Sequence, residues 1–173
     1  VGNAYPHKNL EKLIDAFNAV KDEIKNSKLV LVGNTDYFYL NIKKKTEELS
    51  LQDRVIFFGR ATDSELHNLY KNAVCLVMPS LMEGFGLPVL EAMRNKCLVV
   101  CSDIDSFREI TSENCIYFNP LRTQEISQSL INAYSKKYDS KIIEKAFELS
   151  KEFSWEKTAK ETLKVYESSI SLR

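Results

Sequence analysis

The run Ala73-Val74-Cys75-Leu76-Val77-Met78 leads into Pro79-Ser80-Leu81-Met82-Glu83-Gly84-Phe85-Gly86-Leu87 and then Pro88-Val89-Leu90-Glu91-Ala92-Met93. Six uncharged, mostly β-forming residues predict a strand buried on both faces. The loop after it carries two of the chain's five glycines. Pro88 suits the first helical position, where a missing N–H costs nothing. Strand, glycine loop and helix in that order make up half of a βαβ unit.

The same pattern repeats on either side. Lys28-Leu29-Val30-Leu31-Val32-Gly33 and Arg54-Val55-Ile56-Phe57-Phe58-Gly59 read as buried strands, each closed by glycine, and Leu98 to Cys101 and Ile116 to Phe118 as shorter ones. Between them lie helical stretches. Leu10, Leu13, Ile14, Phe17, Val20 and Ile24 recur every three or four residues, the period of an amphipathic helix. Residues 37–50 and 62–71 read as helices, the second opened by Thr62 with Glu65 three residues on. Stretches 123–138, 140–151 and 154–170 complete the set. Val1-Gly2 reads as the end of one more strand, so the chain is expected to be a fragment or an excised domain. The predicted fold class is α/β: a doubly wound parallel sheet, Rossmann-like, in one domain over residues 1–173.

Composition narrows the function classes. The chain has 173 residues, 44% of them hydrophobic, enough to bury roughly 70% of the unfolded surface in one core. Lys and Arg number 24 against 24 Asp and Glu, so the basic excess of a non-specific nucleic-acid binder is missing and no nucleic-acid partner is expected. No apolar run reaches the length of a membrane span. Cys75, Cys97, Cys101 and Cys115 form no C-x-x-C pair and read as free thiols in a reducing, cytoplasmic setting. With two histidines in the chain, no metal site is expected.

In a parallel sheet, ligands bind beyond the carboxyl ends of the strands. Gly2, Gly33 and Gly59 each close a strand run, and Gly84 and Gly86 lie in the loop after the fourth. Five glycines on one edge point to close backbone approach by a ligand. The Gly86 and Leu87 N–H groups at the start of the following helix form an anion site suited to phosphate. Glu83 on the loop and Glu91, read in the first helical turn, would repel phosphate. They suit bidentate acceptance from vicinal hydroxyls of a sugar or ribose.

Glu83-Gly84-Phe85-Gly86-Leu87-Pro88-Val89-Leu90-Glu91-Ala92-Met93 resembles the E-x7-E signature of the retaining GT-B-fold glycosyltransferases of family 4, the glycosyl transferases group 1. Val1-Gly2-Asn3 with Lys8-Asn9 resembles the family's opening strand and basic turn. Phe58-Gly59-Arg60 with Glu65-Leu66 and Leu69-Tyr70, then Ser102-Asp103 with Arg108-Glu109, then Phe153-Ser154-Trp155-Glu156, resemble later blocks. The likeness covers nearly the whole chain and implies the C-terminal, donor-binding half of a GT-B enzyme whose N-terminal acceptor domain lies elsewhere.

That resemblance implies transfer of a glycosyl group from a nucleoside diphosphate sugar to an acceptor hydroxyl, with retention and no cofactor or metal. Glu83 and Lys8 are then the catalytic pair: Lys8 meets the diphosphate and Glu83 the hydroxyls of the transferred sugar. Gly2, Asn3, Arg60, Gly84, Phe85, Gly86, Leu87 and Glu91 bind the donor. In that set the Phe85 and Gly86 N–H groups line the sugar, the Leu87 N–H meets a phosphate, Glu91 holds the ribose and the Gly59-Arg60 loop lies by the base. Many members carry Arg where Asn3 stands, which removes a bidentate phosphate clamp here. The acceptor domain is expected to pack on the 154–170 helix, whose Trp155, Ala159, Leu163, Tyr166 and Ile170 form one apolar stripe, partly exposed in this chain. The half carrying the acceptor site would account for any peripheral contact with the inner face of a membrane. The alternative reading is a GT-B nucleotide-binding module kept for regulation or assembly, without transfer. Asp103-Ile104-Asp105 has the D-x-D spacing of a metal site but follows a strand, and Asp103 is expected to cap a short helix. His7 reads as a loop residue beside the phosphate site and His67 as structural.

Overall fold

A computed structural model describes residues 1–171. The elements run, after a single 3-10 turn at Pro6–Lys8, as α1 (Leu10–Val20), β1 (Leu29–Val32), α2 (Tyr37–Glu48), β2 (Val55–Gly59), α3 (Asp63–Asn72) and β3 (Leu76–Met78). They continue as α4 (Leu87–Arg94), β4 (Val99–Ser102), α5 (Asp105–Thr111), β5 (Ile116–Phe118), α6 (Thr123–Tyr134), α7 (Lys141–Ser150) and α8 (Trp155–Ser171). β1 pairs in parallel with β2, and β3, β4 and β5 pair in parallel in that order. Val1–Gly2 lies between the two ladders. It is not itself a strand, but the Gly2 N–H donates to Val32 O at 2.8 Å, and Val1 packs on the core that holds Met78 and Val99. Across the molecule the order is therefore β2, β1, the Val1–Gly2 stub, β3, β4, β5, the doubly wound arrangement expected from the alternating runs.

Side-chain alternation along the inner strands divides the interior in two. Leu76, Met78, Val99 and Cys101 face one core, shared with Val89, Met93 and Phe107. Val77, Leu98, Val100 and Phe118 face the other, shared with Leu13, Phe17 and Ile126. A strand covered by helices on both sides reads as an unbroken apolar run because both of its faces are dry. β2 departs from that reading. It is the outer strand, and Ile56 and Phe58 are 39% and 38% exposed on the side away from α1 and α2, so the strand is buried on one face only. The predicted first helix also stops early, at Val20. Arg54 holds the segment that follows, donating to Lys21 O, Ile24 O and Ser27 O between the end of α1 and β1.

The four cysteines are free thiols. Burial pushes Cys75 up to about 12 and Cys97 up to about 11, so both stay protonated at neutral pH. No helix among the described residues is long and apolar enough to cross a membrane.

Helix α8 stands apart from both cores. Every residue from 154 to 170 is exposed, including Trp155 at 76% and Ile170 at 73%. The expected exposed stripe is present, and it extends along the whole helix. This leads to a contrast between two large apolar side chains. Leu13→Ala, at a fully packed core position, should cost about 2–5 kcal/mol in urea unfolding, whereas Trp155→Ala should change stability by less than about 0.5 kcal/mol.

Candidate functional site

The strand ends converge at one edge. The Gly33 N–H donates to Gly59 O at 2.9 Å, one strand over from the Gly2 to Val32 bond, so three glycines stand side by side across neighbouring strand ends. A Cβ on Gly33 would lie 2.1 Å from Gly2 O, which leaves no room for a side chain.

The turn that carries Lys8 is held by its neighbours. Asn9 adopts a left-handed conformation, φ 56°, and its side-chain N–H groups donate to Pro79 O at 3.1 Å and Pro120 O at 2.9 Å. The Leu81 N–H donates to His7 O at 2.7 Å. These three bonds bring the turn against the loop after β3. Lys8 Nζ then stands 2.6 Å from Glu83 Oε1, and Ser80 Oγ donates to the same oxygen at 2.8 Å. The pair is largely shielded, with side chains 19% and 11% exposed. Desolvation of two charges is unfavourable, and the short contact together with the Ser80 bond offsets it.

Helix α4 opens at the same edge. Gly86 is its N-cap at φ 119°, and no side chain caps it. A Cβ on Gly86 would meet Phe107 Cε1 at 2.8 Å, so backbone strain and crowding both require glycine. The first helical residue is Leu87, with Pro88 second. Glu91 is consequently the fifth residue and lies in the second turn, where the helix dipole stabilises a carboxylate little; the first-turn placement is corrected. Its carboxylate is held from another element: the Tyr70 hydroxyl of α3 donates to Glu91 Oε2 at 2.9 Å. Burial and the Glu91 charge push the Tyr70 phenol well above its ordinary range.

Gly2, Asn3, Lys8 and Ser80 line one small cavity between β1 and β3, and Glu83 joins them through Lys8. Phe85 and Leu87 stand half-exposed at the start of α4, the Phe85 ring meeting Phe153 edge-on at 6.0 Å between centroids. A Cβ on Gly84 would meet nothing within 4 Å. Arg60 directly follows β2, exposed and outside the cavity lining. Asp103 does not cap α5. Ile104 is the N-cap, and the Asp103 carboxylate instead accepts from Arg108 Nε and Nη2, which holds it below the usual carboxylate range. Among the described residues, no group of three His, Cys, Asp or Glu side chains stands together to hold a metal. Sequence reasoning missed the supporting roles of Asn9, Tyr70 and Ser80. Ser80, three residues before Glu83 in one loop, carried a local signal; the other two act across long separations.

Known proteins resemble this chain in sequence and in fold. The model of the family "glycosyl transferases group 1" matches residues 1–149. The O-antigen chain mannosyltransferase RfbU of Salmonella typhimurium is 36% identical over 120 residues, covering 69% of this chain and 33% of its own length. The crystal structure of the C-terminal domain of the glycosyl transferase group 1 family protein LpcC from Francisella tularensis is 28% identical, with a TM-score of 0.74, covering 86% of this chain and 80% of that one. Anabaena HepE, solved in complex with UDP and glucose, has the same fold at a TM-score of 0.79 and 20% identity, covering 95% of this chain and 46% of that one. This chain spans less than half the length of the curated relatives it matches.

The Asn9 clamp predicts a measurable loss. Asn9→Ala removes two hydrogen bonds and places alanine in a left-handed conformation, and should cost about 2–3 kcal/mol in urea unfolding. A cost below about 0.5 kcal/mol would show that the clamp contributes nothing.

Proposed function

This chain belongs to the glycosyl transferases group 1 family, and from that premise we propose that it is the C-terminal, nucleotide-sugar-binding half of a retaining, family 4 glycosyltransferase. The observation that carries the reading is the meeting of Lys8 and Glu83 at the edge where the uncapped N-terminus of α4 opens, with Glu91 on the same helix. The donor's diphosphate takes Lys8 and the N–H groups at the start of α4. The transferred sugar takes Glu83 and the backbone of Phe85 and Gly86. The ribose takes Glu91.

In the reaction proposed, the bond between the anomeric carbon and the diphosphate oxygen breaks, a bond to the acceptor oxygen forms on the same face of the sugar, and the acceptor's hydroxyl proton leaves with the diphosphate. Negative charge gathers on the departing diphosphate. Lys8 and the helix N-terminus are positioned to stabilise it, and stabilisation of developing charge is the main contribution a protein makes to such a step. No resident cofactor is assigned to it. The names of the relatives support a hexosyl group and a polysaccharide acceptor, as in O-antigen synthesis. A further domain would bring the acceptor and pack on the exposed face of α8, which has no cover among the described residues.

The experiment is a thermal-shift screen of the 173-residue chain against UDP, GDP, ADP and their hexose conjugates. Ligand at about 100 times its Kd stabilises by about 2.7 kcal/mol. No shift with any of them at millimolar concentration would overturn the donor-site reading. Glu91→Ala should weaken free nucleotide and sugar nucleotide alike, and Glu83→Ala mainly the sugar nucleotide. Equal losses from the two variants on both ligand types would contradict this division of roles.

A further inference from the structure

We infer that Tyr70 is a positioning residue, holding the Glu91 carboxylate in the orientation that grips a ribose diol. This rests on the reading of Glu91 as the ribose ligand and adds a residue to it. The Tyr70 side chain is 4% exposed and packs in the core that holds Leu76, Val89, Met93 and Cys97. Its hydroxyl therefore has a fixed direction, toward Glu91 Oε2 at 2.9 Å. The phenol stays protonated and acts only as donor to the carboxylate.

A carboxylate receives two vicinal hydroxyls well only when its plane faces them, and the terminal torsion of glutamate is soft. A donor fixed by the core at one oxygen removes that freedom before any ligand arrives. Oε1 and the second lone pair of Oε2 remain for the diol. The backbone below is secured as well, because Asn95 Nδ2 donates to Glu91 O at 2.8 Å. The anchor has a defined origin. Helix α3 starts at a reciprocal capping box between Thr62 and Glu65, two residues past Arg60, and places Tyr70 two turns further on. A single rigid helix thus runs from the Gly59-Arg60 loop to the carboxylate on α4.

The test compares affinity for UDP, GDP and ADP with that for their 2′,3′-dideoxy counterparts, by calorimetry, in wild type, Tyr70→Phe and Glu91→Gln. Tyr70→Phe keeps the ring and its packing. For each ribonucleotide the wild type binds, this variant should bind about tenfold more weakly, the effect of one hydrogen bond to a charged group. The dideoxy counterparts should change by less than twofold. Equal losses on both nucleotide types, no loss on either, or a Tyr70→Phe chain that no longer melts cooperatively would each overturn the inference in favour of a structural tyrosine. Glu91→Gln separates the two levels of the argument. If it leaves the ribose-to-dideoxy ratio unchanged, or if the wild type binds none of the three nucleotides, the reading of Glu91 fails and the inference falls with it. If it collapses the ratio while Tyr70→Phe does not, only the positioning role fails.

Discussion

The side chain of Asn9 donates to the carbonyls of Pro79 and Pro120, which leave β3 and β5, and so ties two strand exits to the turn that carries Lys8. Each such bond contributes modestly to stability, about 1 kcal/mol. Its larger effect is geometric. Lys8 and Glu83 lie 75 residues apart in sequence and both sit on connecting segments, which are the most variable parts of a fold. Without a clamp between those segments, a 2.6 Å contact between them would have no fixed location. The clamp in turn depends on the parallel sheet, because only strands running the same way bring their exits to a common edge.

The sheet sets that edge by alternation. Met78 and Val99 point into one core while Val77 and Val100 point into the other, so a one-residue slip of either strand would exchange the cores. Register is therefore tightly specified in β3 and β4, and the start of α4 inherits that precision. The Val1–Gly2 stub lies at the place where strand order reverses, the position at which open α/β sheets bind their ligands.

Much of this could be read from the residues. The uncharged runs located the strands, and Glu83-Gly84-Phe85-Gly86 before Pro88 located the loop and the helix it opens. What escaped the reading was set by tertiary contacts or by a boundary of one residue. The run Val55-Ile56-Phe57-Phe58 is as apolar as Val99-Val100-Cys101, yet only its place at the sheet's edge leaves Ile56 and Phe58 half-covered. Pro88 fits the first or the second helical position equally well in sequence, and that single residue moves Glu91 into the second turn. The Tyr70 to Glu91 bond joins residues 21 apart through the crossing of α3 over the sheet, a relation with no period to reveal it. Asp103 had the composition of a cap, but a guanidinium five residues on competes for the same oxygens and takes them.

The Lys8–Glu83 contact makes the charge at the edge conditional. While the two face each other, an approaching anion meets a neutral couple. Binding at Lys8 is then an exchange of counter-ions: Glu83 must give up the ammonium, or share it, as the new partner arrives. The gain is the difference between two ion pairs, which is smaller than either and less sensitive to ionic strength than attraction to a bare cation. An arriving group that brings hydroxyls for Glu83 along with an anion for Lys8 compensates both halves of the couple at once, whereas an inorganic anion compensates one. On the proposed donor-site reading, the pairing would act as a filter, favouring ligands that carry both functions over simple phosphate.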